Sequence, residues 1–103
     1  MNVAFWDANE DGLMDAFVGE AYGNINFFRN EGSAGAPSFT LVTGDEDPFD
    51  GVNVGAVSNV AFWDANEDGL MDAFVGEYDG NINFFRNEGS PGAPSFVLSL
   101  IHI

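Results

Sequence analysis

Two nine-residue stretches hold the densest oxygen chemistry of this chain. One is Asp7-Ala8-Asn9-Glu10-Asp11-Gly12-Leu13-Met14-Asp15, and its copy is Asp64-Ala65-Asn66-Glu67-Asp68-Gly69-Leu70-Met71-Asp72. Oxygen-bearing side chains stand at positions 1, 3, 5 and 9, with glycine at position 6. A hard cation such as Ca²⁺ takes about six to eight oxygen ligands in flexible geometry. A tight loop that turns alternate residues inward supplies four side chains and, from position 7, one backbone carbonyl. The glycine permits the sharp turn, and water can complete the shell. Magnesium suits the pattern less well, because it keeps its waters and demands a stricter octahedron. The plainer alternative is an acidic turn, since Asp, Asn and Gly are ordinary turn formers. The pattern occurs twice, each time between strand-like segments, and this favours the metal. Without a cation, the packed carboxylates of each loop would repel one another.

The elements that position these loops must come from a chain of unusual balance. Its 103 residues carry 17 acidic groups against two arginines and no lysine, for a formal net charge of −15. A nucleic-acid reader needs a basic footprint, so that class is excluded. Attraction to anionic lipid is equally disfavoured. Yet 46% of the residues are apolar and 15% are aromatic, eleven of them Phe, so the chain can build a core. A disordered acidic tail would be poor in both. There is no cysteine, hence no disulfide, thiol nucleophile or Cys-based zinc site. No apolar run approaches the ~20 residues of a membrane span. The Met1-Asn2-Val3-Ala4-Phe5 start lacks the basic region of a signal peptide, though a longer parent chain could still encode export.

The chain repeats itself. Residues 2–40 align with 59–97 at an offset of 57, and 35 of the 39 positions are identical. The exceptions are Ala21/Tyr78, Tyr22/Asp79, Ala34/Pro91 and Thr40/Val97. Such a period signals a propeller or solenoid. Within the first copy, short alternating segments predict strands at 3–6, 15–20, 24–29 and 38–43. In the second they predict strands at 60–63, 72–77, 81–86 and 95–101. Ile25 and Phe27 fall on one face and Phe28 on the other. Gly23-Asn24 and Gly80-Asn81 suit tight hairpins that need positive φ. No segment has a sustained helical period with caps. The expectation is an all-β fold of two four-stranded antiparallel units, with an acid loop between the first and second strands of each. The units span residues 1–43 and 59–103, joined by a Gly/Asp-rich connector over 44–58.

An EF-hand needs a bidentate Glu at position 12 and flanking helices. Position 12 is Val18, or Val75 in the copy, and the flanks read as strands. Dockerin-type loops fail the same test. The run D-x-N-x-D-G-x-x-D, then Ala16-Phe17-Val18-Gly19-Glu20, then Gly23-Asn24-Ile25-Asn26-Phe27-Phe28-Arg29-Asn30-Glu31-Gly32, resembles the FG-GAP/VCBS repeat. This is the calcium-binding blade of integrin-type β-propellers. Ala36-Pro37-Ser38-Phe39 resembles the family's blade ending. The resemblance covers nearly all of both units. It implies two Ca²⁺ sites per chain. The first takes Asp7, Asn9, Asp11 and Asp15 with the carbonyl of Leu13. The second takes Asp64, Asn66, Asp68 and Asp72 with the carbonyl of Leu70. Asn9 and Asn66 replace an aspartate found in many members, removing one charge per site. Family propellers usually have about seven blades, whereas two are present here.

Two blades leave two outer faces wet, and Phe and Trp occur on both sides of the strands. Self-association is therefore expected, head to tail, into a ring or an extracellular fibre. Glycans or surface proteins are further candidate partners, with a lectin-like module as the alternative function. Trp6 and Trp63 are read as blade-packing residues, with sugar stacking as the alternative. Arg29 and Arg86 are expected to pair with nearby carboxylates. Glu20, Glu77, Glu31 and Glu88 do not make a convincing glycosidase pair, because acids are plentiful and no cleft is implied. His102 reads as a tail residue, and no nucleophile accompanies it. Tyr22 and Tyr78-Asp79 mark a hairpin tip where the copies differ most. The overall expectation is a non-enzymatic, calcium-binding structural or adhesive repeat, extracellular or at the cell surface.

Overall fold

The computed structural model describes residues 2–55, 57–77 and 80–99. Tyr78-Asp79 and the end of the last predicted strand, with His102, lie outside the described residues. The first unit forms strands β1 (Asn2–Trp6), β2 (Asp15–Gly19), β3 (Ile25–Asn30) and β4 (Phe39–Val42). The second forms β5 (Val57–Trp63), β6 (Asp72–Glu77), β7 (Ile82–Asn87) and β8 (Phe96–Ser99). Each set is an antiparallel meander in sequence order, so the chain is two four-stranded sheets. β5 begins at Val57, inside the 44–58 connector, with a register shift between Val57 and Asn59. The connector also holds a short 3₁₀ turn, Gly44–Glu46, which the sequence pattern does not announce.

The hairpin between β2 and β3 explains its glycine. Glu20 N–H donates to the Asn24 carbonyl at 2.9 Å, and Gly23 N–H donates to the Glu20 carbonyl at 3.1 Å. That closes a three-residue loop whose last residue, Gly23, sits at φ +96°. Glu20 thus belongs to the hairpin rather than to β2. The connector crosses the same spot. Val54 N–H donates to the Gly23 carbonyl at 3.2 Å, and Asn53 Nδ2 reaches the Tyr22 carbonyl and Asn24 Oδ1. A Cβ on Gly23 would overlap the Gly55 carbonyl.

The pleat sorts side chains onto two faces. In the first sheet, Phe5, Ala16, Phe28 and Leu41 are cross-strand partners on one face, hereafter the front. Ala4, Phe17, Phe27 and Val42 line the back, which Ile25 shares by strand alternation. In the second sheet the front row is Phe62, Ala73, Phe85 and Leu98. The back of sheet one packs on the front of sheet two. Trp6 meets Phe62 at 5.0 Å between ring centroids and Phe96 at 5.9 Å, while Phe17 meets Phe62 edge-on at 4.8 Å. Phe49 from the connector is buried in the same seam, against Phe17, Phe62, Phe85 and Phe96.

Identical side chains therefore meet opposite surroundings. Val60 is 2% exposed and its copy Val3 is 50% exposed; Ile25 is 3% exposed and its copy Ile82 is 48%. Trp6 is packed between the sheets, as a blade-packing residue should be, whereas Trp63 on the outer back face is 64% exposed. Among the described residues, no helix is long and apolar enough to cross a membrane.

Candidate cation-binding loops

Each acid loop leaves its first strand after a tryptophan and re-enters the sheet at a buried aspartate. Asp7 caps the turn: its Oδ1 accepts Asp11 N–H at 3.1 Å and its Oδ2 accepts Gly12 N–H at 2.8 Å. Asp11 Oδ1 accepts Leu13 N–H at 2.9 Å. Asp15 ties the loop to the sheet: its Oδ2 accepts Ala8 N–H at 3.1 Å and its Oδ1 accepts Asn30 N–H at 2.8 Å. The second loop repeats the set. Asp64 accepts from Asp68 and Gly69 at 3.2 and 2.8 Å, Asp68 from Leu70 at 2.9 Å, and Asp72 from Ala65 and Asn87 at 3.1 and 2.9 Å.

The backbone path needs two left-handed residues. Gly12 has φ +89°, as the glycine at position 6 implies, and Glu10 has φ +56°. Glu67 matches it at +57°. A left-handed glutamate is uncommon and strained, and nothing in the sequence pattern marks it.

The electrostatics follow from these contacts. The Leu13 N–H holds the Asp11 carboxyl below its ordinary value against some desolvation, and Asn9 and Asp7 add to the lowering. Burial pushes the Asp15 carboxyl up, opposed by the Asn30 and Ala8 N–H groups and reinforced by the charges of Asp11 and Asp7. Asp15 is thus near enough to Asp11 and Asp7 to be repelled by both.

The predicted ligand residues lie along the two loops, and in the first Asn9 hydrogen-bonds to Asp11. Among the described residues, however, no three acidic or histidine side chains close around one point. The carboxylates face backbone N–H groups instead. The donor set still suits a hard divalent ion. All the side-chain donors are oxygen, and a carboxylate oxygen that accepts one backbone N–H, as in these loops, has a second lone-pair direction.

Asn30 and Asn87 are neighbours of the acid loops that motif reading misses. Besides donating its N–H to Asp15, Asn30 accepts Gly32 N–H at 3.0 Å and Ser38 N–H at 3.1 Å on Oδ1. Asn87 does the same for Gly89 and Ser95. The available signal is a short polar residue at a strand end, just ahead of a glycine, where Asx turns form. The loop after β7 then rests on the first acid loop: a Cβ on Gly92 would lie 3.0 Å from the Asn9 carbonyl oxygen. Between this contact and the connector opens a cavity of about 470 Å³, lined in part by Asn9, Phe27, Arg29, Asp45 and Glu46. The arginines pair as expected: Arg29 with Glu46 at 3.2 Å and Glu31 at 3.7 Å, and Arg86 with Glu88 at 3.2 Å.

Comparison with known families matches the chain to the FG-GAP-like repeat over residues 7–75. It runs from the first residue of the first acid loop to Val75 in β6, so both acid loops lie within it. Searches of curated proteins and of solved structures return no match. With two-thirds of its length matched and a meander of four strands in each unit, the chain belongs to the FG-GAP-like repeat family.

Proposed function

We propose that this chain is a calcium-stabilised, non-enzymatic repeat module. It serves structure or adhesion outside the cell and assembles blade on blade through its sheet faces into a ring or fibre. One observation carries the reading: the same oxygen-only loop occurs twice, pinned each time to its sheet by a buried aspartate. Asp7, Asn9, Asp11, Asp15 and the Leu13 carbonyl hold the first ion, and Asp64, Asn66, Asp68, Asp72 and the Leu70 carbonyl the second. Bound Ca²⁺ would link the first and second strands of each sheet and offset the repulsion among the aspartates. Extracellular modules bind calcium at about 10⁻⁴–10⁻³ M, which suits an extracellular setting and not the cytosol. The test is thermal unfolding with calcium and with EGTA. Chelation should lower the melting temperature markedly, and Asp11→Ala with Asp68→Ala should mimic it. A melting curve indifferent to EGTA removes the calcium reading.

A lectin-like module is the second reading, favoured by the inter-sheet cavity that joins Asn9, Phe27, Arg29 and Asp45. A glycan array with calcium, repeated with Arg29→Ala, tests it. Trp6 is unsuited to that role, because its ring is packed against Phe62 and Phe96. Silence across the array removes this reading.

A further inference from the structure

Among the described residues, the two outer sheet faces that carry exposed apolar side chains are copies of the two faces that meet inside the molecule. The outer front of sheet one carries Val3, Phe5, Phe28 and Leu41. Their copies Val60, Phe62, Phe85 and Leu98 form the front of sheet two, where all but Leu98 are buried or partly buried in the internal seam. The outer back of sheet two carries Trp63, Phe74 and Ile82, copies of the Trp6, Phe17 and Ile25 that pack from the other side of that seam. On these faces Trp63 and Phe74 lie 5.9 Å apart and Phe5 and Phe39 6.5 Å apart between centroids. Each end of the molecule thus presents the half of the internal seam that the other end lacks.

From this we infer that the occupant of these faces is a second copy of this chain, docked in the register of the internal seam. The front of sheet one in one copy sits on the back of sheet two in the next. This rests on the assembly reading above and fixes its geometry. The contact is heterologous, so neither face pairs with itself. The loop contact is copied too. Gly92 abuts Asn9 inside the molecule, whereas its copy Gly35 has no atom within 4 Å of a would-be Cβ. In the docked register, the Gly35 loop of one copy rests on Asn66 of the next, against the second acid loop.

Two charge insertions on exposed residues test this. Phe5→Glu blocks the front of sheet one, and Trp63→Glu blocks the back of sheet two. Analytical ultracentrifugation with calcium should show assemblies of the wild-type chain and monomers of each variant, an association weakened about a hundredfold or more. An equimolar mixture of the variants should give a one-to-one dimer and nothing larger, because each retains the face the other has lost. Val3→Glu and Ile82→Glu repeat the test should either first variant melt below the wild type. If the wild type assembles and Trp63→Glu still pairs with itself, the register is overturned while assembly stands. A wild-type chain monomeric at all concentrations overturns both, and leaves the faces to a partner of another sequence.

Discussion

Phe49 and Phe96 stack nearly parallel, 4.7 Å apart between centroids and 10° between planes. The first lies in the connector and the second opens β8, so a residue outside both sheets completes the seam between them. Phe49→Ala would leave a cavity lined by four rings. A loss of about 3–5 kcal/mol is expected, measured by urea unfolding. Phe5→Ala, on the exposed front face, should stay within about 0.5 kcal/mol by the same measurement at dilutions where the chain is monomeric.

Asp15 is the second point of leverage. Asp15→Ala would strip the acceptor from two buried N–H groups, those of Ala8 and Asn30, and should cost about 2–4 kcal/mol. Asn30→Ala frees the Gly32 and Ser38 N–H groups in a half-exposed loop and should cost about 1–2 kcal/mol. Both are to be measured in EGTA. A loss that appeared only with calcium would show that these residues act through the ion and not as struts.

Gly23 and Gly80 are copies in different settings. Both have positive φ, but only Gly23 lies against the connector. Gly80→Ala should cost about 1–2 kcal/mol for its left-handed backbone alone. Gly23→Ala adds an overlap with the Gly55 carbonyl and should lower the melting temperature clearly further. Equal losses would mean that the connector moves aside.

Asp47 supplies a pH test away from the acid loops. Burial raises its carboxyl above the ordinary 3.8, the Phe49 N–H opposes this, and the charge of Asp50 adds to the rise. The folded chain therefore holds this proton more tightly than the unfolded one. The Asp47 contribution to stability falls as pH rises from about 4 through the raised value, and stays low above it. Asp47→Asn keeps the Oδ1 acceptor for Phe49 N–H at 3.0 Å and removes the charge. The variant should be the more stable at pH 7, with the difference vanishing below about pH 3. Denaturant titrations across that range decide it.

The strands were legible because alternation is a local property. Ile25 and Phe27 do share a face opposite Phe28, and the acid loops fall where Asp and Gly cluster between tryptophan and aspartate. Which face of each sheet would be covered was not legible. Val3 and Val60 have the same sequence neighbours for many residues, and only the stacking order separates them. Phe49 was equally hidden. It is a lone aromatic among Asp, Gly and Pro, and its partners are distant in the chain. Asn30 is hidden in the sequence because its part is played through backbone N–H groups, which side-chain motifs do not encode.

The stacking order also divides the duplicated sequence into text that can be edited and text that cannot. Where described, the residues that distinguish the copies (Ala21, Tyr22, Ala34/Pro91 and Thr40/Val97) are all solvent-exposed. Val3 and Phe5 are just as wet, yet they are spelled as in the copy that is covered. A change at either is nearly free in the lone chain, whereas the same change at Val60 or Phe62 is not. Divergence between the copies should therefore reach the front of sheet one and the back of sheet two before it reaches the seam, and its arrival there would record when those faces ceased to be used.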